Sequence, residues 1–249
     1  MNIRPLHFAP DDKRKTHSLD DHRSRHEKVR EQLEQLLSSP DFATALPRLE
    51  LPLRKAASAL LSLLPHRNAL VRWRAATGLG LLMARLAERD PEAARDRMRR
   101  LMWSLNEESG NCAWGAAEAM AEAMARSGPL AAEFAHVLVA YIIPEGPFLE
   151  YGPLLAGAVW GIGRVAEERP ELVRHAGPYL QALLDSPDAG VRGLAAEALG
   201  ILGEGEGRPG LEGLLSDANE YESFKGENLV TRTVSEAARE SLDRIKGKR

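Results

Sequence analysis

The feature that most constrains this chain is a recurrence of small side chains with a period near forty residues. Five stretches carry Ala and Gly at helical spacing: RAATGLGLLMARLAE from Arg74, GAAEAMAEAMARS from Gly115, LAGAVWGIGRVAEE from Leu155, LAAEALGILGEG from Leu194 and TVSEAARESLDRI from Thr233. Aligned, they put Ala75, Ala116, Ala156, Ala195 and Val234 in one column, with steps of 41, 40, 39 and 39 residues. Five positions further on, the column reads Gly80, Ala121, Gly161, Gly200 and Arg239. A glycine inside a helix costs about 1 kcal/mol relative to alanine, so its return at a fixed register implies a packing need. One helix must approach the next closely. A unit of ~40 residues holds two helices and two turns, and a single pair cannot bury both apolar faces, so the pairs stack.

The five stretches are read as second helices. First helices are expected over 53–64, 91–105, 129–142, 170–184 and 208–215. Pro91, Pro129 and Pro170 stand near the first turn of three of them, where proline is tolerated because that N–H has no intrahelical partner; Pro209 fits the same pattern. Ahead of the repeats, His26–Leu37 carries Val29, Leu33, Leu36 and Leu37 at helical spacing and reads as an N-terminal capping helix. Residues 1–21 are expected to form a flexible arm. Residues 22–249 then make one repeat domain, with repeats near 42–89, 90–128, 129–169, 170–206 and 207–249.

With that register drawn, the chain resembles the HEAT-repeat superfamily, in particular its short PBS-lyase HEAT-like type. Asp188-Ala-Gly-Val191-Arg192 followed by Ala195, Ala196, Ala198, Leu199 and Gly200 is similar to the D-x-x-V-R-x-x-A-A-x-A-L-G pattern of that type, and Asn68-Ala-Leu-Val71-Arg72 opens a looser copy. Cys112-Ala113, Gly152-Pro153 and Val230-Thr231 depart from it at the Val-Arg positions. The resemblance covers roughly residues 50–247. It implies an all-α fold: an α-solenoid, a right-handed superhelix of about five HEAT-like helical hairpins, of the armadillo-like helical kind. It is nearly silent on function, because such solenoids serve as scaffolds, partner-binding modules, chromophore lyases and, rarely, enzymes.

Composition narrows the field. The net charge is −3, with eight Lys/Arg against five Asp/Glu in residues 1–30 and 25 against 31 after them, so no nucleic-acid partner is expected. No stretch approaches the ~18 apolar residues of a membrane span, and the opening MNIRPLHFAPDDKRK has no apolar run; no membrane partner and a cytoplasmic location are the expectations. One cysteine, Cys112, allows neither an internal disulfide nor a cysteine zinc cluster. Gly161-Ile-Gly163-Arg-Val-Ala166 mimics a dinucleotide fingerprint but lies inside a predicted helix, without the strand that such a loop must follow. His22 and His26 share a helical face without further ligands, so no metal and no cofactor are expected. The arginines at 95, 97, 99 and 100 lie on a first helix and read as a solvated surface.

In a solenoid, insertions gather on one edge, often the binding one. The loop between the two helices of the fourth repeat is minimal, Ser186–Gly190. Those of the second (Asn106–Trp114), third (Pro144–Gly152) and fifth (Asp217–Asn228) are long, acidic and rich in aromatics. Candidate partner- or ligand-binding residues on these loops are Asn106, Glu107, Glu108, Asn111, Cys112, Trp114, Phe148, Glu150, Tyr151 and Tyr221. Glu118, Trp160, Arg164, Arg192 and Arg232 join them from the second-helix surface, where Thr77, Glu122, Glu197 and Glu236 also fall. The expected function is a non-enzymatic scaffold that recognises a protein or peptide through its concave second helices and three long loops. The alternative is a cofactor- or chromophore-handling protein, lyase-like or chaperone, with a small-molecule pocket near Trp114, Glu118, Tyr151 and Trp160. A deep pocket would favour the second reading and a long shallow groove the first.

Overall fold

The computed structural model describes residues 27–48, 52–107, 113–203 and 205–247. The expected arm at 1–21, His22, His26, and the loop candidates Glu108, Asn111 and Cys112 lie outside the described residues. Helix α1 covers 27–38, and its Leu33 and Leu37 are fully buried, as a capping helix requires. After the short α2 (Phe42–Ala45), helices alternate between two layers. The inner layer holds the second helices: α4 (Ala69–Arg89), α6 (Ala116–Arg126), α8 (Gly152–Glu168), α11 (Ala189–Leu202) and α13 (Val234–Gly247), each packed on the next. The outer layer holds α3 (Leu53–Leu61), α5 (Pro91–Asn106), α7 (Gly128–Ala140), the pair α9 (Pro170–Val173) and α10 (Gly177–Ala182), and α12 (Arg208–Gly213). One continuous apolar core runs between the layers. The fold is an all-α repeat solenoid with one insertion that is not helical.

The small-residue columns are where neighbouring second helices touch. A Cβ on Gly80 would lie 2.3 Å from the Cβ of Glu122, and one on Gly200 would lie 2.5 Å from the Oγ of Ser241. A Cβ on Gly161 would stand 3.0 Å from that of Ala121. The column breaks at Arg239, which is exposed on α13.

The D-x-x-V-R pattern is a turn device. Asn68 and Asp188 accept the amides of Val71 and Val191 at 3.3 and 3.1 Å, capping α4 and α11. Four residues after each cap, an arginine folds back. Arg72 donates to the carbonyls of His66 and Arg67, and Arg192 to those of Ser186 and Pro187. The turn carbonyls that have no helical partner are thus satisfied.

Two expectations are corrected. The first helix at 170–184 is broken into α9, a 3-10 turn over Arg174–Ala176, α10 and a second 3-10 turn over Leu183–Asp185. Pro178 has no N–H for the carbonyl of Arg174, so the α-helical ladder cannot run through Arg174–Ala176 and restarts at α10. The segment Asp217–Asn228, read as an open loop, instead builds most of an antiparallel hairpin. Strand β1 (Glu220–Lys225) pairs with β2 (Asn228–Thr233), Tyr221 opposite Arg232 and Lys225 opposite Asn228. Gly226 and Glu227 have φ of 52° and 68°, the two-residue turn that matches strand twist. The strand then passes straight into α13 through a reciprocal cap. Glu236 N–H donates to Thr233 Oγ1, and Thr233 N–H donates to the Glu236 carboxylate.

The close contact of α4 and α6 sets a test. Gly80→Ala should lower stability by about 1–3 kcal/mol, because helix backbone rather than a flexible side-chain end faces the added carbon. Gly213→Ala, which meets nothing within 4 Å, should stay within about 0.5 kcal/mol of the parent in urea unfolding.

Candidate functional site

The hairpin does not project into solvent. It lies across the inner layer and reaches from the fifth repeat to the first. Phe224 stacks on Trp73 of α4, ring centroids 5.1 Å apart, and its carbonyl accepts the Trp160 Nε1–H of α8 at 3.2 Å. Trp73 and Trp160 meet edge to face at 4.8 Å. At the hairpin tip, Arg74 donates to the Glu227 carbonyl, while its Nη1 binds the carbonyls of Leu37 and Ser39 at the end of α1. Arg74 therefore ties the N-terminal cap to the hairpin tip.

The base of the hairpin is held by Glu197 of α11. Its carboxylate accepts from Tyr221 Oη at 2.6 Å, Arg232 Nη1 at 2.7 Å and Ser223 Oγ at 3.2 Å, with Lys225 Nζ at 3.3 Å. Arg232 also pairs with Glu240 of α13 at 2.6 Å. Burial, and then the Glu197 charge, push the Tyr221 hydroxyl far above its ordinary pKa, so it stays a donor. Gly193 makes the seat: a Cβ there would lie 2.3 Å from the Tyr221 ring.

With its middle filled, the inner face keeps a cavity on each side of the hairpin. The larger, about 380 Å³, is lined by residues from all five second helices and the hairpin, including Thr77, Glu122, Arg126, Arg164 and Arg244. Its carboxylate, Glu122, is 4% exposed and pairs with Arg126 and with Arg164 Nε at 3.4 Å. Arg164 also binds Glu167 and Glu168. Burial and the neighbouring Arg164 bring Arg126 down to about 10. Most of the charges here are spent on one another, with Arg244 and the Glu227 carboxylate at the rim.

The smaller cavity, about 180 Å³, opens at the loop edge. Trp73, Pro153, Leu154 and Leu194 give it apolar walls, and Arg72, Trp114, Glu118 and Glu222 bring polar chemistry. The Arg72 guanidinium lies 4.8 Å from the centroid of the Trp114 ring. The Glu118 carboxyl nests against Gly157, whose missing Cβ would stand 2.7 Å from Oε1. Glu118 is half-buried and lines the cavity. Its one hydrogen bond among the described residues is to its own backbone, and removal from water raises its pKa to about 7, against a small opposing pull from Arg72.

The structure thus brings Trp114 and Glu118 together in one cavity and places Trp160 and Arg164 in the other. Tyr221 and Arg232 are turned inward onto Glu197. Arg192 braces its own turn and pairs with Asp217 at 2.8 Å. Asn106 and Glu107 end α5, and Phe148 packs against the core. Glu150 and Tyr151 are exposed beside the smaller cavity, at the start of α8. Sequence reasoning missed Arg72, Trp73 and Glu222 as cavity residues. The signal for the hairpin was present: two runs of Tyr, Phe, Leu, Val and Thr separated by a two-residue turn containing Gly226.

Residues 153–202, from α8 through α11, match the family model for the HEAT-like repeat. The two-layer helical build of this stretch recurs along the molecule. An engineered protein solved by the Northeast Structural Genomics Consortium is similar at a TM-score of 0.54 and 20% identity, over 90% of this chain and 91% of that one. At such identity the likeness speaks for the fold alone. A designed armadillo repeat protein, and another computationally designed for modular peptide recognition, align at a TM-score of 0.47 each, with 19% and 20% identity over 86% of this chain and 98% of theirs; these likenesses carry no argument. No curated protein matches the chain. Among the described residues no helix is long and apolar enough to cross a membrane, and no three His, Cys, Asp or Glu converge as a metal would require.

Two outcomes follow from this geometry. The folded chain holds the Glu118 proton up to about pH 7, whereas the unfolded chain releases it near 4.5. The folded state binds more protons between those values, so this group's contribution falls as pH rises through them and is level above. Compared with Glu118→Gln, the parent should lose on the order of 1–3 kcal/mol across that window in paired urea titrations. Separately, Glu197→Ala should cost about 3 kcal/mol and expose the amides of β1 and β2 to hydrogen exchange, because Tyr221, Ser223 and Arg232 lose their common acceptor.

Proposed function

We propose that this solenoid is a non-catalytic binding module that engages a protein partner at its loop edge. The observation that carries the reading is the smaller cavity, where an indole, an apolar wall and a carboxyl with no side-chain partner among the described residues meet beside the exposed Tyr151. Those groups have the character of a recognition hot spot, a half-buried aromatic with polar neighbours. The larger cavity has less of that character, since most of its charged groups pair internally. The hairpin occupies the middle of the inner face, so an extended peptide laid along all the second helices is not the mode supported. A partner would present one feature to the cavity and rest its surroundings on the loop edge.

One observation favours a second reading. A recess of about 180 Å³ has the size of a small chemical group, which a small molecule could supply as well as a side chain. Native mass spectrometry of the protein purified gently from its own source separates the two. The expected result is a co-purifying polypeptide that disappears with Trp114→Ala, at a cost of about 2 kcal/mol in affinity or more, and persists with Trp103→Ala on the outer layer. A bound small molecule, or a bare chain, would overturn the protein-binding reading.

A further inference from the structure

Resting on the loop-edge reading above, the geometry points to the smaller cavity as a receptor for one basic side chain of a polypeptide, its charged end received by Glu118 and Glu222 beside the Trp114 indole. The argument starts from charge. Three ionisable groups line the cavity among the described residues: Arg72 from α4, Glu118 from α6 and Glu222 from β1, while α8 and α11 contribute only uncharged residues. Arg72 is committed, its Nη1 bound to the carbonyls of His66 and Arg67 and its guanidinium set over Trp114. Neither carboxyl has an ion pair among the described residues. With Glu118 ionised, the recess is therefore one positive charge short.

The chemistry of the walls selects the same occupant. A lysine or arginine side chain has an apolar stem and a charged head. Trp73, Leu154 and Leu194 would cover the stem, and two carboxyls would take the head. The arrangement of Arg72 on Trp114 already shows that this indole accepts a cation at its face. An anion would face two carboxyls. A purely apolar group would leave Glu118 buried without a partner, which costs free energy. Entry of a cation also reverses the effect that holds the Glu118 proton, because an opposite charge at close range favours the ionised form. Occupation is then coupled to loss of that proton, and affinity falls as pH drops below about 7.

The test compares two acetylated, amidated glycine-flanked peptides, one carrying a single arginine and the other citrulline, its neutral counterpart of the same shape. Binding to the full chain is followed through the indole N–H signals of Trp114 and Trp73 one pH unit above the Glu118 transition. The expected result is that the arginine peptide binds about tenfold tighter or more, the scale of a charge-assisted contact. Glu222→Gln, on the exposed side of the hairpin, should remove most of that preference even if Glu118→Gln perturbs the fold. Equal binding of the two peptides, or no shift of the Trp114 signal with either, would overturn the proposal. A free aliphatic diamine binding more tightly than the arginine peptide would overturn it too, assigning the recess to a metabolite. If the peptides do not discriminate while the native complex still carries a Trp114-dependent polypeptide, this inference fails and the protein-binding reading stands.

Discussion

Neighbouring second helices meet through residues with one side-chain carbon or none, and the geometry of the molecule depends on that contact. Helices packed through large side chains stand 8–10 Å apart, and Ala and Gly at the interface permit the lower end. The outer layer buries Met98, Leu101, Leu130, Phe134 and Leu138 together with Ala94, Ala131 and Ala135; the tightest contacts lie elsewhere. In the inner layer they are Gly80, Ala121, Gly161 and Gly200. Glycine and alanine at those contacts let the second helices stand close together. That is why one cavity can be lined by residues from all five second helices, and why the hairpin finds a seat to lie in.

The hairpin in turn answers a weakness of solenoids, in which each repeat contacts only its neighbours. A strand of six residues spans ~20 Å, enough to carry contacts from α13 and α11 over α8 to α4. Its bonds to Glu197, Trp160 and Arg74 join repeats far apart in sequence; Arg74 and Glu227 are separated by 153 positions. Arg74 also holds the carbonyls at the end of α1, so both ends of the domain depend on one buried guanidinium. The polar groups involved are buried together and mostly satisfied by one another, the condition under which such networks stabilise one arrangement rather than many.

What was legible in the sequence follows from this physics. Close helix contacts leave a trace because substitution there clashes, so the Ala and Gly columns gave the five second helices and their register. The turn device left one too, in Asn68 and Asp188 with Arg72 and Arg192. The hairpin was harder to read. Tyr221, Phe224, Leu229 and Val230 look like an aromatic, apolar loop as readily as two strands, and their partners Glu197, Trp160 and Trp73 are distant in sequence. Trp114 and Glu118 could be singled out from the loop-edge argument and their neighbouring columns. That Arg72, Trp73 and Glu222 join them could not, because the contact depends on where the hairpin falls.

The hairpin also decides what kind of recognition this surface can support. An open solenoid groove reads a long segment through many weak contacts along its length. Here Phe224, Tyr221 and Ser223 already occupy that track, with Tyr221 and Phe224 each 6% exposed. Displacing them would uncover two indoles and strip Glu197 of its donors, a cost few partners could offset. Selectivity at the remaining surface must come from depth rather than length. A recess with apolar walls and with carboxyls that have no ion pair among the described residues would discriminate by charge and by the cost of leaving those carboxyls unmatched. In the proposed mode such a site would work as a single anchor point, and Glu150 and Tyr151, exposed just ahead of the cavity residue Pro153, would be available to what surrounds the anchor.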